Sequence, residues 1–253
     1  MKQAKNPIQA SKKTLQILEV LVSVGESRVT DIASHLDIDN ATVHHHLSTL
    51  EELGYVISND SEYRVSMQLF EMGESVRRTQ TPFDIVKPEI DNLAEETGEV
   101  ANFMTEEGGR GIYVYIAQGE RAVHLDTQIG TRQYLHTSAL GKAILAHLSE
   151  CKFNTIIDRH GLPHQTSNTV TDLQSLEAEL KKIQNRGVAF DGQERADGIR
   201  CVAAPVMDNY QRLIGAVSVS APSTRMKGDR FTEEIPGMIK NTANIISLNA
   251  SYS

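Results

Sequence analysis

The segment IASHLDIDNATVHHHLSTLEELGYV, residues 32–56, decides the fold of the N-terminal part of the chain. In its second half, Val43, Leu47 and Leu50 recur at the three- and four-residue spacing of a helix with one apolar face. The tetrapeptide DIDN at residues 37–40 is typical of a turn, because Asp and Asn side chains bond readily to nearby backbone groups. A short helix, a turn and a second helix are therefore predicted.

The flanking residues extend this pattern on both sides. Ser11 is a candidate N-cap for an upstream helix over residues 12–24, and Thr30 is one for the short helix. Asp39 or Asn40 is expected to cap the helix after the turn. The upstream helix is expected to bury Leu15, Leu18, Leu21 and Val22. Downstream, YVI and YRV are typical of two short strands around a polar turn, so the whole order predicts a winged helix-turn-helix.

Three consecutive histidines, His44, His45 and His46, lie in the helix after the turn. Successive residues of a helix are about 100° apart, so the three rings point in different directions and do not converge on one metal ion. The pair His35 and Asp39 has metal-ligand spacing, but it spans the turn. The pattern places His46 at the edge of the apolar face and the other two histidines on the outer face.

The outer face of this helix has two interpretations. It is either an ordinary solvated surface or a recognition surface whose side chains reach base edges and phosphates in the major groove of DNA. The order of the surrounding elements favours recognition. With basic residues of the arm and the wing, the predicted DNA contacts are Lys12, Arg28, Asn40, Thr42, His44, His45, Ser48, Thr49 and Arg64.

The charge of the chain at first opposes a DNA-binding interpretation. The chain has 25 Lys or Arg against 33 Asp or Glu, and residues 1–80 have eight against eleven. DNA-binding domains are usually basic. Four of those eight basic residues, however, lie in the N-terminal arm (Lys2, Lys5, Lys12 and Lys13). Binding depends on where charges lie as well as on their sum, so the objection does not exclude DNA.

The composition is that of a soluble globular protein with one or two domains, since 40% of the 253 residues are hydrophobic and 23% are charged. No apolar run is long enough to cross a membrane, and the N-terminus lacks the apolar core of a signal peptide. The two cysteines, Cys151 and Cys201, show no paired spacing, which favours a reducing compartment. A cytoplasmic protein with no membrane partner is expected.

The N-terminal segment resembles the DNA-binding domain of IclR-type transcriptional regulators. It departs from the common family pattern at Ala41, His45 and His46, where the family often has Ser, Arg and Leu. The residues that it shares with the family are Thr42, Val43, His44, Leu47, Thr49, Leu50, Gly54 and Tyr55.

Three downstream segments resemble the effector domain of the same family. They are YLHTSALGKAILAHL (134–148), GVAFDGQERADGIRCVAAPV (187–206) and LIGAVSVSAPSTRM (213–226). The resemblance covers about residues 11–250. It implies an α+β protein with a winged helix-turn-helix at 1–66, a linker and dimerisation helix at 67–81, and a GAF-like antiparallel-sheet effector domain at 82–253.

Periodicity in the rest of the chain predicts the same fold class, with helices grouped outside a sheet. The apolar stripe of Leu69, Met72, Gly73 and Val76 suits either an ordinary buried helix or the linker helix that the resemblance implies. The predicted strands are 99–105, 111–118, 122–128, 199–206 and 212–220, and the predicted helices are 86–97, 138–147, 150–158, 172–185 and 231–249.

The resemblance also implies a small-molecule cavity on one face of the sheet. The positions carried over are Ala122, Leu125, Ala139, Leu140, Asp191, Ile199, Cys201, Ser218 and Ser220. The start of the SALGKA helix offers backbone N–H groups to a carboxylate, and the alternation of Ser218 and Ser220 directs both hydroxyls to one face. Each residue has an ordinary alternative, since Asp191 can cap a turn and Cys201 can be a small buried apolar residue.

Two other functions would use the same residues. Cys201 with His136 or His124 is a candidate nucleophile and base with Asp191 as the orienting carboxylate, and Cys201, Asp191 and a histidine also suit zinc. No nucleophile-elbow or HExxH motif supports an enzyme. We expect a non-enzymatic regulator without a cofactor. It would bind a palindromic double-stranded operator as a homodimer or a dimer of dimers, and respond to a small metabolite, a carboxylate.

Overall fold

The computed structural model describes residues 4–251, which form two compact units at residues 4–80 and 81–251. Residues 1–3 and 252–253, the outer ends of the predicted first and last domains, lie outside the described residues, as does the first lysine of the basic arm. The first unit comprises α1 (Gln9–Val24), β1 (Ser27–Arg28), α2 (Val29–Leu36), α3 (Asn40–Glu52), β2 (Val56–Asn59), β3 (Glu62–Val65) and α4 (Gln68–Gln80).

The first three helices and the β2–β3 hairpin enclose one apolar core, which confirms the winged helix-turn-helix. Asp39 caps α3 as predicted, because its Oδ1 accepts the backbone N–H of Thr42 at 2.7 Å. The wing has a third strand that the sequence did not predict, since β1 pairs with β3 on the side away from β2. The buried apolar residues of this core are Ile17, Leu18, Leu21, Ile32, Ala33, Val43, Leu47, Leu50 and Val56.

The predicted start of α1 is wrong, and of its four residues predicted to be buried only Leu18 and Leu21 are. The helix begins at Gln9, and the backbone N–H of Lys12 already bonds to the carbonyl of Ile8 at 3.3 Å, so Ser11 lies inside the helix. Leu15 and Val22 are 60% and 68% exposed. Ile17 is buried beside Leu18 and Leu21, because these three positions fall within one side of a helix that turns about 100° per residue.

The predicted cap of α2 is also wrong. The helix starts after Arg28, whose backbone N–H donates to the carboxylate of Asp31 at 3.4 Å. Thr30 therefore lies in the first turn of α2. In a capping box, an acidic side chain three residues after the N-cap accepts the backbone N–H of the N-cap residue. Asp31 does the same for Arg28.

Helix α4 is not an ordinary buried helix, because none of its residues is buried. Met72 and Val76 are each 49% exposed, so much of its apolar stripe faces solvent in this chain. Glu74 forms ion pairs with Arg77 and Arg78 along the polar side. The helix groups with residues 4–80, and the three-part division at 66/67 and 81/82 stays a prediction.

The second unit is built on a six-stranded antiparallel sheet with the strand order β6-β5-β4-β9-β8-β7. Its elements are α5 (Phe83–Thr97), β4 (Val100–Glu107), β5 (Arg110–Gln118), β6 (Arg132–Tyr134), α6 (Ala139–Leu145), α7 (Glu150–His160), α8 (Leu173–Arg186), β7 (Ala189–Gly192), β8 (Ile199–Met207), β9 (Leu213–Pro222) and α9 (Ile235–Ala250). Together with the winged helix-turn-helix, this sheet confirms the α+β class.

Each face of the sheet packs against its own helices. Residues of α5 and α9 form one core with the strand residues Val202, Val217 and Val219. Residues of α6, α7 and α8 form the other core with Ala203 and Ala216. Successive residues of a strand point to opposite faces, so the two serines that alternate with valines in β9 face α6 to α8.

One predicted strand and two predicted boundaries are wrong in this unit. Residues 122–128 are irregular, and the chain pairs with the open edge of β5 only from Gly130 on, whose N–H donates to the carbonyl of Tyr113 at 2.8 Å. The resemblance implies that Asp191 follows a strand at 187–190, but Asp191 lies within β7. The last helix is preceded by a π-helical turn at Arg230–Glu234.

Candidate functional sites

The outer face of α3 is solvent-exposed above a fully packed core. Of the nine predicted DNA contacts, eight are exposed, and Thr42 is half-buried. Its hydroxyl donates to Asp39 Oδ2 at 2.6 Å, so this side chain is engaged in the helix cap. Apolar residues at helical spacing fix which side of α3 faces inward, and the remaining side chains form a continuous polar surface.

The three histidines occupy different environments. His44 and His45 are exposed, with ring centroids 6.2 Å apart, whereas His46 is half-buried and its Nδ1 lies 2.9 Å from the hydroxyl of Thr14. His46 therefore links α3 to α1. Within residues 4–251, no group of three or more His, Cys, Asp or Glu side chains is placed to hold a metal ion.

Several acidic groups of the first unit are already engaged by neighbours. Hydrogen bonds from the side chain and backbone of Thr42 lower the pKa of Asp39. Glu62 pairs with Arg28 at 3.2 Å, and the Ser58 hydroxyl bonds to a nearby glutamate on α3. The pair of Arg28 is exposed on both sides, and such a pair contributes little, so a phosphate can replace the carboxylate.

In the second unit, five polar side chains lie side by side on the sheet face that packs against α6 to α8. We call this set the polar row; its members are Asp191, Cys201, Ser220, Ser218 and Asn102. Strand register brings them together, since Asp191 is opposite Cys201, which is opposite Ser220, and Ser218 is opposite Asn102. The row crosses four strands, from β7 to β4.

The polar row is held by its own hydrogen bonds. Asn102 Nδ2 donates to Ser218 Oγ at 3.2 Å and to Ser220 Oγ at 3.4 Å. Cys201 Sγ lies 2.9 Å from Ser220 Oγ. Asn102, Asp191 and both serines are buried, and buried polar groups are costly unless they are bonded. These internal bonds lower that cost while leaving spare acceptor and donor capacity on the hydroxyls.

A second polar chain lies at the end of the sheet beside the start of α6. The hydroxyl of Tyr113 donates to Gln133 Oε1 at 3.2 Å, and Gln133 Nε2 donates to Ser138 Oγ at 2.7 Å. The same Ser138 oxygen accepts the backbone N–H of Gly141 at 3.2 Å. One N–H of the SALGKA segment predicted to hold a carboxylate is thus already bonded. A side chain at Gly141 would lie only 2.0 Å from a backbone carbonyl of the preceding turn, so glycine allows this close packing.

Asp191 organises the turn that follows β7. Its Oδ1 accepts the backbone N–H of Glu194 at 2.6 Å, and Gln193 adopts φ 71°. The turn sends the Glu194 side chain to Lys142, with Oε1 and Nζ 2.5 Å apart, and places the guanidinium of Arg195 5.5 Å from the ring centroid of Tyr113. Burial raises the pKa of Asp191 to about 7. Asp191 therefore caps the turn after β7, as its ordinary alternative role predicts.

The nucleophile–base arrangement is not assembled. Burial raises the pKa of Cys201 to about 12, so its thiol stays protonated and weakly nucleophilic. His136 Nε2 lies 3.0 Å from the carbonyl oxygen of Pro163, and burial lowers its pKa. His124 is exposed in the irregular segment. In residues 4–251, the hydrogen-bonding partner of the thiol is the Ser220 hydroxyl.

The remaining predicted ligand residues lie around the polar row. Ala139 and Leu140 are buried in the first turn of α6, and Ile199 is half-buried at the start of β8. Ala122 and Leu125 are half-buried in the irregular stretch before β6. Sequence reasoning missed Asn102, Tyr113 and Arg195. A polar residue inside the apolar run VANFM was a signal for the first, whereas Tyr113 and Arg195 required the tertiary structure.

A cavity of about 500 Å³ lies beside the turn that Asp191 organises. None of the nine predicted ligand residues lines it. At one side of it lies the Lys142–Glu194 ion pair, in which Glu194 Oε2 is buried without a hydrogen-bonding partner. Its lining also includes Val170, Ser175, Ala178, Phe190 and Phe231.

Comparison with known proteins identifies the family. Residues 79–248 match the family described as Bacterial transcriptional regulator IclR C-terminal, and residues 11–59 match the IclR helix-turn-helix domain. The chain belongs to the IclR family. This IclR-family chain is therefore a transcriptional regulator with a DNA-binding domain and an effector domain.

Similar proteins share nearly the whole length of this IclR-family chain. The Probable HTH-type transcriptional regulator ArcR of Halobacterium salinarum is 31% identical over 92% of each chain. The Transcriptional repressor IclR of Escherichia coli is 30% identical over 91% of this chain and 86% of its own. The crystal structure of the Thermotoga maritima IclR matches with a TM-score of 0.84 and 29% identity, covering 96% of this chain and 99% of the other. In the described part of the IclR-family chain, no helix is long and apolar enough to cross a membrane.

Proposed function

We propose that this regulator binds a palindromic operator in the cytoplasm as a dimer or a dimer of dimers, and that a small organic carboxylate held at the polar row modulates operator affinity. A coupling free energy of about 1–3 kcal/mol between the two sites is sufficient to change occupancy. The observation that carries the proposal is the polar row itself, in which Asn102, Ser218, Ser220 and Cys201 are linked by hydrogen bonds beside the apolar core residues of the same sheet face.

The DNA side of the proposal rests on the exposed face of α3. His44, His45 and Ser48 face solvent from a helix whose opposite face is locked into the core. In a helix-turn-helix, the second helix of the motif enters the major groove, and two half-sites about one helical turn apart match the two-fold axis of a dimer. Arg64 on the wing and Lys12 on α1 are exposed and available to phosphates.

The dimeric state is supported by the apolar side chains of α4 that solvent reaches. Phe70, Met72 and Val76 are 64%, 49% and 49% exposed. Apolar side chains grouped on one helix mark association surfaces more often than scattered ones do. In a two-fold symmetric dimer the same surface of both subunits meets, so α4 of one subunit would pack against α4 of the other.

The carboxylate is supported by the chemistry of the polar row and its surroundings. The oxygens of Ser218 and Ser220 accept from Asn102, so their own O–H groups can donate hydrogen bonds to the oxygen atoms of a ligand. Asp191, which would repel an anion, has a raised pKa and is directed at the backbone of its own turn. A small polar anion is therefore tolerated beside it.

The proposed function is tested by fluorescence anisotropy of the full chain on labelled DNA from its own upstream region. Saturable binding that exceeds binding to scrambled DNA of equal length, and that weakens steeply with salt, is the expected result. A panel of small organic acids is then added, and one or more is expected to shift the midpoint. Equal weak binding to both DNAs at every salt concentration would overturn the DNA part, and an unmoved midpoint across the panel would overturn the effector part.

A further inference from the structure

We infer that Arg195 reads the negative charge of the effector, so that the regulator distinguishes a carboxylate from its neutral analogues. This inference rests on the proposed function, because it assigns a specificity-determining residue to the same polar row. It concerns a residue that neither the family resemblance nor the sequence motifs singled out.

The backbone around Arg195 is fixed before any ligand arrives. Asp191 Oδ1 accepts the N–H of the neighbouring Glu194 at 2.6 Å, and Gly198 donates to Gln193 Oε1 at 2.7 Å. The hydroxyl of Thr169 donates to the carbonyl of Glu194 at 2.6 Å from the loop before α8. These bonds on both sides of Arg195 hold the base of its side chain in one place.

The guanidinium of Arg195 lies over the ring of Tyr113, a residue of the sheet face that carries the polar row. It is 5.5 Å from the ring centroid of Tyr113, whose strand position places it on the same sheet face. Its positive charge lowers the pKa of both Tyr113 and Cys201 relative to the effect of burial alone.

Nearby carboxylates do not neutralise this guanidinium. Among residues 4–251 it has no hydrogen bond or ion pair, and its side chain is half-buried. Glu194, its immediate neighbour, is paired with Lys142, and Asp191 faces the turn backbone. The result is a planar, always charged group beside the buried ring of Tyr113, with no carboxylate paired to it among residues 4–251.

Guanidinium chemistry determines what this group would bind. Its fork of N–H donors matches the two oxygens of a carboxylate and gives two parallel hydrogen bonds. An amide of the same shape offers one acceptor and a clashing N–H₂ donor. Arg195 would therefore supply discrimination by charge, while the hydroxyls of Ser218 and Ser220 supply hydrogen bonds that both analogues can use.

The test compares matched acids and amides by titration calorimetry on the full chain. The probes are acetate with acetamide, pyruvate with pyruvamide, and benzoate with benzamide. The proteins are the natural chain, R195Q, R195K and the control R159Q, which removes an exposed arginine whose side chain donates to the Gly108 carbonyl at 3.4 Å. Operator DNA binding without acid is measured for all four proteins.

We expect the natural chain and R159Q to bind at least one acid ten times or more tightly than its amide. In R195Q the affinity for that acid should fall about tenfold while the amide is unaffected, and R195K should retain part of the preference. A purely structural role would lower acid and amide affinity together, and that result would overturn the inference. An undiminished acid preference in R195Q, or acids and amides bound equally by the natural chain, would also overturn it. If neither acids nor amides bind while operator DNA does, the effector part of the proposed function fails as well.

Discussion

The outer face of α3 and the polar row place polar side chains in opposite ways. On α3 they are exposed, local in sequence and separate from the residues that stabilise the fold, as His45 beside the buried Leu47 illustrates. In the polar row they are buried, distant in sequence and part of the fold, as Asn102 bonded to Ser218 illustrates. A surface for DNA can therefore change without loss of stability, whereas the polar row cannot.

The largest effect is expected where α3 meets its core. Leu47 is 0% exposed, and Leu47→Ala should lower the free energy of unfolding of the first unit by about 2–5 kcal/mol through lost burial and a residual cavity. Chemical denaturation measures this, and operator binding should be lost with the fold. Leu53→Ala, on a residue that is 57% exposed, is the control and should change stability by less than about 0.5 kcal/mol.

The next effect concerns the titration of the polar row. Burial raises the pKa of the Asp191 carboxyl from its ordinary value of 3.8 to about 7 in the folded chain. Between these values the folded state holds a proton that the unfolded state has released. Stability from this group is therefore present at low pH and is lost as the pH rises towards and through 7. Between pH 5 and 8 the loss should be about 2–3 kcal/mol.

The substitution Asp191→Asn isolates that contribution. The amide oxygen can still accept the Glu194 N–H, but it does not titrate, so the decline in denaturation free energy between pH 5 and 8 should become shallower by about the same 2–3 kcal/mol. The exposed substitution Asp197→Asn should leave the natural slope unchanged. An Asp191→Asn chain with the natural slope would show that another group causes the pH dependence.

The smallest effect on stability is expected on the outer face of α3. His45→Ala should change the free energy of unfolding by less than about 0.5 kcal/mol, because the ring is exposed. It should weaken operator binding by about 1–2 kcal/mol if the ring contacts a base edge. His35→Ala, on an exposed histidine of α2 outside the predicted contacts, serves as the control in anisotropy titrations. Equal losses of operator affinity in His45→Ala and His35→Ala would show that the outer face of α3 is an ordinary solvated surface rather than a recognition surface.

The same comparison explains what the sequence could predict. The face of α3 follows from the spacing of Val43, Leu47 and Leu50, because helical periodicity is a local property of the chain. The alternation of Ser218 and Ser220 likewise predicted that both share one sheet face. Their hydrogen bonds to Asn102 join residues 116 and 118 positions apart, so only strand register could reveal them.

Local rules also account for the errors. The stretch 122–128 has the composition of a strand, but strand pairing depends on long-range register, and residues 130–134 are the ones that pair with the first half of β5. Arg195 carries no motif, and its position depends on a turn held by Asp191 and Thr169. Such turn contacts position a charged side chain without producing any helical or strand periodicity in the sequence.

The central claim is that the operator surface and the polar row are energetically coupled. The most direct measurement is calorimetric titration of the selected acid into the free protein and into the protein saturated with operator DNA. Linkage requires that the acid change operator affinity by the same factor as the operator changes acid affinity. We predict a factor of about 5–150, corresponding to about 1–3 kcal/mol. Identical acid affinity with and without operator would contradict the account, even if each ligand binds well alone.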